Sequence, residues 1–85
     1  SFKVIVPASG HEFEVAEGET VLDVGAGTGI LIPLIRKYRP GFLYACDLSA
    51  HMLARLKSND SAVETLHADV RDVTLPDRSI DVVFI

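Results

Sequence analysis

Cysteine occurs once in these 85 residues, at Cys46, and tryptophan does not occur at all. A single thiol excludes an intramolecular disulfide framework and a four-cysteine cluster site. Its place in an apolar run, 42–46, makes Cys46 a small core residue, and a reducing cytoplasm is the compartment that fits. No stretch approaches the roughly 18 to 20 apolar residues of a membrane span, and no basic segment followed by an apolar core marks a secretory leader. Positive charge is also in short supply. Eight Lys and Arg stand against twelve Asp and Glu, for a net charge of −4, which argues against a general nucleic-acid surface. Arg36, Lys37 and Arg39 cluster at the end of a helical segment, where they complement its dipole. His11, His51 and His67 lie in unrelated segments with no paired metal-ligand spacing, and no Gly-Lys-Ser or Gly-Lys-Thr makes a phosphate loop. What remains, 48% hydrophobic and 24% charged residues, is the composition of an ordinary globular α/β domain, one at most at this length.

The informative segment is Val21-Leu22-Asp23-Val24-Gly25-Ala26-Gly27-Thr28-Gly29. Its first residues form the apolar run of a parallel strand covered on both faces. Glycine at every second position then permits backbone conformations and close approaches that a Cβ would block. Apolar residues at 30, 31, 34, 35 and 38 form a helical stripe. Pro33 restricts the regular helix to a start near Ile30 or Leu31, and Pro40-Gly41 ends it. The turn therefore sits between a strand and a helix, where N–H groups without intrahelical partners are available to a ligand. The dinucleotide fingerprint requires glycine where Ile30 stands, so the spacing disfavours an NAD-linked or nucleotide-sugar enzyme.

Two further segments repeat the arrangement of a strand ending in an acid. Phe42 to Cys46 leads into Asp47, roughly 20 residues past the glycine turn, where a carboxylate grips the hydroxyl pair of a ribose. Ser49 caps a helix whose buried stripe is Met52, Leu53 and Leu56, with His51 on the exposed side. Val63 to Ala68 leads into Asp69 and Val70. Three acids at successive strand ends gather at the carboxyl edge of a parallel sheet, where ligands bind in open α/β folds. Such a cluster suits ribose hydroxyls, an amino group and a positive sulfonium better than a phosphate.

The longer string from Gly18 to Gly29 resembles motif I of the class I S-adenosylmethionine-dependent methyltransferases. The resemblance implies a Rossmann-like half-fold with strands ordered 3-2-1-4, and S-adenosylmethionine as cofactor. It places Asp23 and the backbone of Gly25, Ala26 and Gly27 beside the methionine portion and Leu48 on the adenine face. Asp69 would accept from the adenine amino group, and Val70 would offer its N–H to the ring. A Leu75-Pro76 loop leads into the fourth strand. The family's later strands, which shape the acceptor pocket, have no counterpart here, so the acceptor and any catalytic base are not assigned. A non-catalytic binding or assembly module on the same half-fold is the alternative.

The first eighteen residues read as a separate unit. Phe2 to Val6 and the alternating His11 to Val15 flank a Pro7 to Gly10 turn, which predicts an antiparallel hairpin ahead of a cofactor-binding domain over 19–85. Residues 12–23 also resemble the opening hairpin of plant-type ferredoxins, but a cluster needs four cysteines. With its usual neighbour absent, the fourth strand would be an open edge, inviting pairing with another copy of the chain or with a missing segment.

Overall fold

The computed structural model describes residues 2–73 and 79–85; the expected Leu75-Pro76 loop lies outside them. Strands are β1 (Lys3–Ile5), β2 (Thr20–Val24), β3 (Phe42–Asp47), β4 (Glu64–His67) and β5 (Val82–Phe84), with helices α1 (Ile32–Arg36) and α2 (Ala50–Asn59). They form one sheet in the order β1-β5-β2-β3-β4, and every pairing is parallel. Among the described residues no helix is long and apolar enough to cross a membrane.

The expected order of four strands stands within this sheet as β4-β3-β2-β5. The N-terminal hairpin does not form. β1 pairs in parallel with β5, Lys3 opposite Val82 and Ile5 opposite Phe84, so the edge expected to be open is covered by the chain's own first strand. Residues 11–15 form no strand. Their alternation still buries one face, but through packing: Phe13 stands edge-on to Phe84 at 5.5 Å and lies 6.0 Å from Tyr38, and Val15 is buried. A period of two reports a buried face, and a ladder is only one way of burying it. Asp81 ties together the starts of β1 and β2, the two strands that flank β5. Its carboxylate accepts from the Thr20 N–H at 2.8 Å, and its carbonyl accepts from the Lys3 N–H at 3.0 Å.

The sheet is covered unequally. Val21, Leu43, Ala45, Val82 and Phe84 pack with Ile32 and Ile35 of α1 and Leu53 and Leu56 of α2. The opposite face holds Leu22, Cys46 and Val83, with Val73 and Ile80 against them. α1 is short because the turn through Gly29 (φ 93°) delays it to Ile32. The buried helical positions are therefore Ile32 and Ile35, whereas Ile30 is 86% exposed, contrary to the expected stripe. Arg36 clamps α1 to the end of α2 through a two-pronged pair with Asp60, at 2.8 and 2.9 Å.

Arg39, just past α1, adopts φ 58°, a left-handed conformation that costs a residue with a Cβ about 1 kcal/mol. Its exposed pair with Glu17, 3.3 Å apart, contributes little in return. Asparagine tolerates this conformation better. Arg39→Asn is expected to raise the unfolding free energy by about 0.5 kcal/mol, read as a higher urea midpoint at unchanged slope; a lower midpoint would show that the pair outweighs the strain.

Candidate functional site

The carboxyl ends of β2, β3 and β4 lie side by side, and the loops leaving them enclose two adjoining cavities. One, of about 210 Å³, is lined by Val24, Gly25, Cys46, Asp47, Leu48, Ala68, Asp69 and Val70. The other, of about 370 Å³, is lined by residues 23–28 together with Ile30, Leu31, Met52 and Ile85. Val24 and Gly25 belong to both, so a ligand lying across the end of β2 would occupy the pair. All eight residues singled out in the sequence line one cavity or the other.

The glycine turn is organised differently from the expected cradle of free N–H groups. The N–H groups of Gly25 and Ala26 both donate to the Cys46 carbonyl, at 2.9 and 3.1 Å, and the Gly27 N–H donates to Asp47 Oδ2 at 2.8 Å. The turn is thus folded onto the end of β3. Positive φ at Gly25 (69°) and Gly27 (56°) makes this possible. The turn borders both cavities with Asp47 supporting it from the end of β3.

Asp47 also accepts from the Ser49 N–H at 2.9 Å through Oδ1. The Ser49 and Gly27 N–H groups hold this carboxyl below the usual carboxylate range. Each oxygen has one protein donor and room for another, which suits a pair of ligand hydroxyls. His67 Nε2 lies 2.9 Å from the Leu48 carbonyl, fixing the segment after Asp47 to the end of β4. Leu48 is 71% exposed and Val70 44%; both border the smaller cavity as unpartnered apolar surfaces. Val70 opens a 3-10 turn, Val70–Asp72, where its N–H has no intrahelical acceptor. Asp69 caps that turn and pairs with Arg71, whose Nε lies 3.0 Å from Oδ1. The Arg71 guanidinium keeps its pKa low, and a ligand amino group would share the carboxylate with that guanidinium.

Asp23 is the exception to a well-paired site. It is 1% exposed, and its Oδ2 has no hydrogen-bond partner among the described residues. Burial first, and the neighbouring charge of Asp47 second, push its pKa from 3.8 up to about 6. The neutral form is therefore favoured by folding, a penalty on the ionised form of about 3 kcal/mol. The penalty is absent below pH 3.8 and complete above pH 6, so on this account stability falls as pH rises through that window. Asp47 and Asp60, whose pKa values are lowered, act in the opposite sense, losing their contribution as pH falls below the ordinary carboxylate value. Asp23→Asn is expected to flatten the decline between pH 4 and 6, measured by urea unfolding across that range. An unchanged slope would place the titration elsewhere.

Met52 was expected in the core from its spacing. It is 42% exposed, and its sulfur lies 3.7 Å from where a Cβ on Gly27 would stand, because the first turn of α2 faces the glycine turn. Ile30 and Ile85 join it in lining the larger cavity; periodicity marks Ile30 only as part of a buried stripe and does not mark Ile85. Cys46 and Ala68 complete the smaller one through strand-end positions adjacent to the acids.

A family model described as a methyltransferase domain matches residues 21–85. The chain belongs to the class I S-adenosylmethionine-dependent methyltransferase family. The match begins at the first residue of the β2 apolar run and leaves β1 outside. This methyltransferase domain is 37% identical over 78 residues to a protein arginine N-methyltransferase of Arabidopsis thaliana, covering 86% of the chain and 19% of the relative. It is 36% identical over 72 residues to an uncharacterized methyltransferase of Schizosaccharomyces pombe, covering 85% of the chain and 29% of the relative. The S-adenosylmethionine-dependent methyltransferase of Mesorhizobium loti superposes with a TM-score of 0.75 at 26% identity, covering 91% of this chain and 36% of that one. The chain thus spans less than a third of the two curated relatives.

Proposed function

We propose that this chain is the S-adenosylmethionine-binding part of a methyltransferase. The observation that carries the reading is the orphaned, buried Oδ2 of Asp23 on the wall of the larger cavity, a short way from the two-donor carboxylate of Asp47 that borders the smaller one. A ligand with an ammonium at one end and a ribose in the middle satisfies both. Its adenine would lie between the apolar surfaces of Leu48 and Val70, with Asp69 and the Val70 N–H at the ring edge. Gly25, Ala26 and Gly27 would face the methionine portion, the missing Cβ atoms of the two glycines giving it room.

When bound, the cofactor supplies an electrophilic methyl on a sulfonium, transferred to a nucleophile aligned behind it. This chain's own residues fix the cofactor's two ends and shield one side with Met52, Ile30 and Ile85. Such positioning is worth up to roughly 7 to 11 kcal/mol when the acceptor is held as well. A non-catalytic module would bind the cofactor in the same way and differ only in turnover.

Calorimetric titration with S-adenosylhomocysteine, alongside NAD, tests the reading. Saturable one-to-one binding of the first and none of the second is expected. A folded chain that binds NAD would make the glycine turn a dinucleotide site, and one that binds neither ligand would reduce it to a strand-to-helix connection.

A further inference from the structure

A carboxyl group buried as deeply as Asp23 is stable in one of two conditions: protonated, or ionised opposite a cation. The described surroundings supply no cation. On β2 its neighbours are Leu22 and Val24; across the sheet it is paired with Ala45 of β3 and Phe84 of β5. Met52, the α2 residue that shares its cavity, is uncharged. Arg36 of α1 is committed to Asp60 at the end of α2. The charged group that does bear on it is Asp47, of the wrong sign and kept ionised by two backbone donors.

Resting on the cofactor reading above, we propose that Asp23 is an acid in the empty site and a carboxylate in the loaded one, so that capture of an ammonium-bearing ligand expels one proton. The bond broken is the Asp23 O–H; its proton leaves to solvent, and the carboxylate left behind gains the ligand's ammonium as its partner. The carboxyl changes state because the ligand brings the positive charge that the protein withholds. Binding and acidity are then linked in both directions. Acid conditions weaken capture, and a ligand lacking the ammonium does not feel pH through this group. A site built this way discriminates between the intact cofactor and its deaminated or truncated remnants more sharply at neutral than at acid pH.

Calorimetry of the 85-residue chain in buffers of differing ionisation enthalpy counts the protons. The probes are S-adenosylhomocysteine and 5′-methylthioadenosine, which keeps the adenosine and the thioether but has no ammonium. With Asp23 titrating at about 6 when empty, S-adenosylhomocysteine should release about 0.9 proton per site at pH 5 and bind about tenfold more weakly there than at pH 7. Methylthioadenosine should release almost none and keep its affinity. Asp23→Asn should bring the two ligands to the same proton count.

Equal counts for both ligands in the unaltered chain, or release that survives in Asp23→Asn, would overturn the linkage while leaving the cofactor site standing. If neither adenosine ligand binds, the cofactor reading itself falls and takes the linkage with it. Should the variant fail to fold, the comparison of the two ligands on the unaltered chain decides alone.

Discussion

Asp47→Ala should weaken S-adenosylhomocysteine binding by at least about 100-fold, roughly 2.7 kcal/mol, while leaving the sheet assembled. The loss has two sources. Hydrogen bonds to a charged acceptor contribute roughly 1.5 to 3 kcal/mol each, and a ribose would make two. The same carboxylate also receives the N–H groups of Gly27 and Ser49, so its removal releases the glycine turn from β3 and uncouples the entry to α2. Asp47→Asn should not restore binding, because one of the two oxygens becomes an NH₂ group that faces a backbone donor. The comparison to make is calorimetric titration of both variants, with circular dichroism to establish that each retains its secondary structure. A folded Asp47→Ala chain binding within threefold of the parent would remove this residue from the site.

Gly41→Ala should cost about 3 kcal/mol or more, a large part of the stability of a domain this size, which is on the order of 4 to 13 kcal/mol. A Cβ on Gly41 would stand 2.5 Å from the Gly18 carbonyl oxygen and 3.2 Å from its carbon. Both are backbone atoms, and backbone hydrogen bonds hold them in place. Gly41 N–H donates to the Glu19 carbonyl and Gly18 N–H to the Arg39 carbonyl, each at 2.9 Å. The methyl group can fit only if the starts of β2 and β3 move apart. Gly10→Ala is the matched control: its Cβ meets nothing within 4 Å, and only the positive φ of 76° opposes it, for about 1 kcal/mol. Urea unfolding of the two variants should separate crowding from conformational strain. Equal losses would mean that the chain relaxes around residue 41 at little cost.

The central strands were legible in the sequence because short apolar runs separated by helical segments leave few ways to build a sheet. Val21 to Val24, Phe42 to Cys46 and Val82 to Phe84 carry that signal within their own residues. The destination of Lys3 to Ile5 does not. Pairing with β5 depends on residues almost 80 positions away, whereas the adjacent alternating segment 11–15 presents a local partner that sequence reading prefers. Likewise the acids Asp23, Asp47 and Asp69 announce themselves by standing at strand ends, but what each is bonded to does not follow from that. Gly27's N–H on Asp47, the unpartnered oxygen of Asp23 and the guanidinium on Asp69 arise from the folded arrangement. Met52 illustrates the same limit: helical spacing puts it beside Leu53 and Leu56, and only the angle of α2 to the glycine turn brings it to the cavity.

The partnership of β1 with β5 has a consequence for how the protein is made. Residues 3–5 leave the ribosome ahead of their hydrogen-bonding partners at 82–84, which follow after about 4 to 16 s at 5 to 20 residues per second. Until then Phe2, Val4 and Val6, which stay largely exposed even in the folded chain, belong to an apolar segment with no ladder to join. The interior strands can assemble as each emerges, but the edge closes last. Contacts of such long sequence separation slow folding, and here they fall on a strand that is made well before its partner.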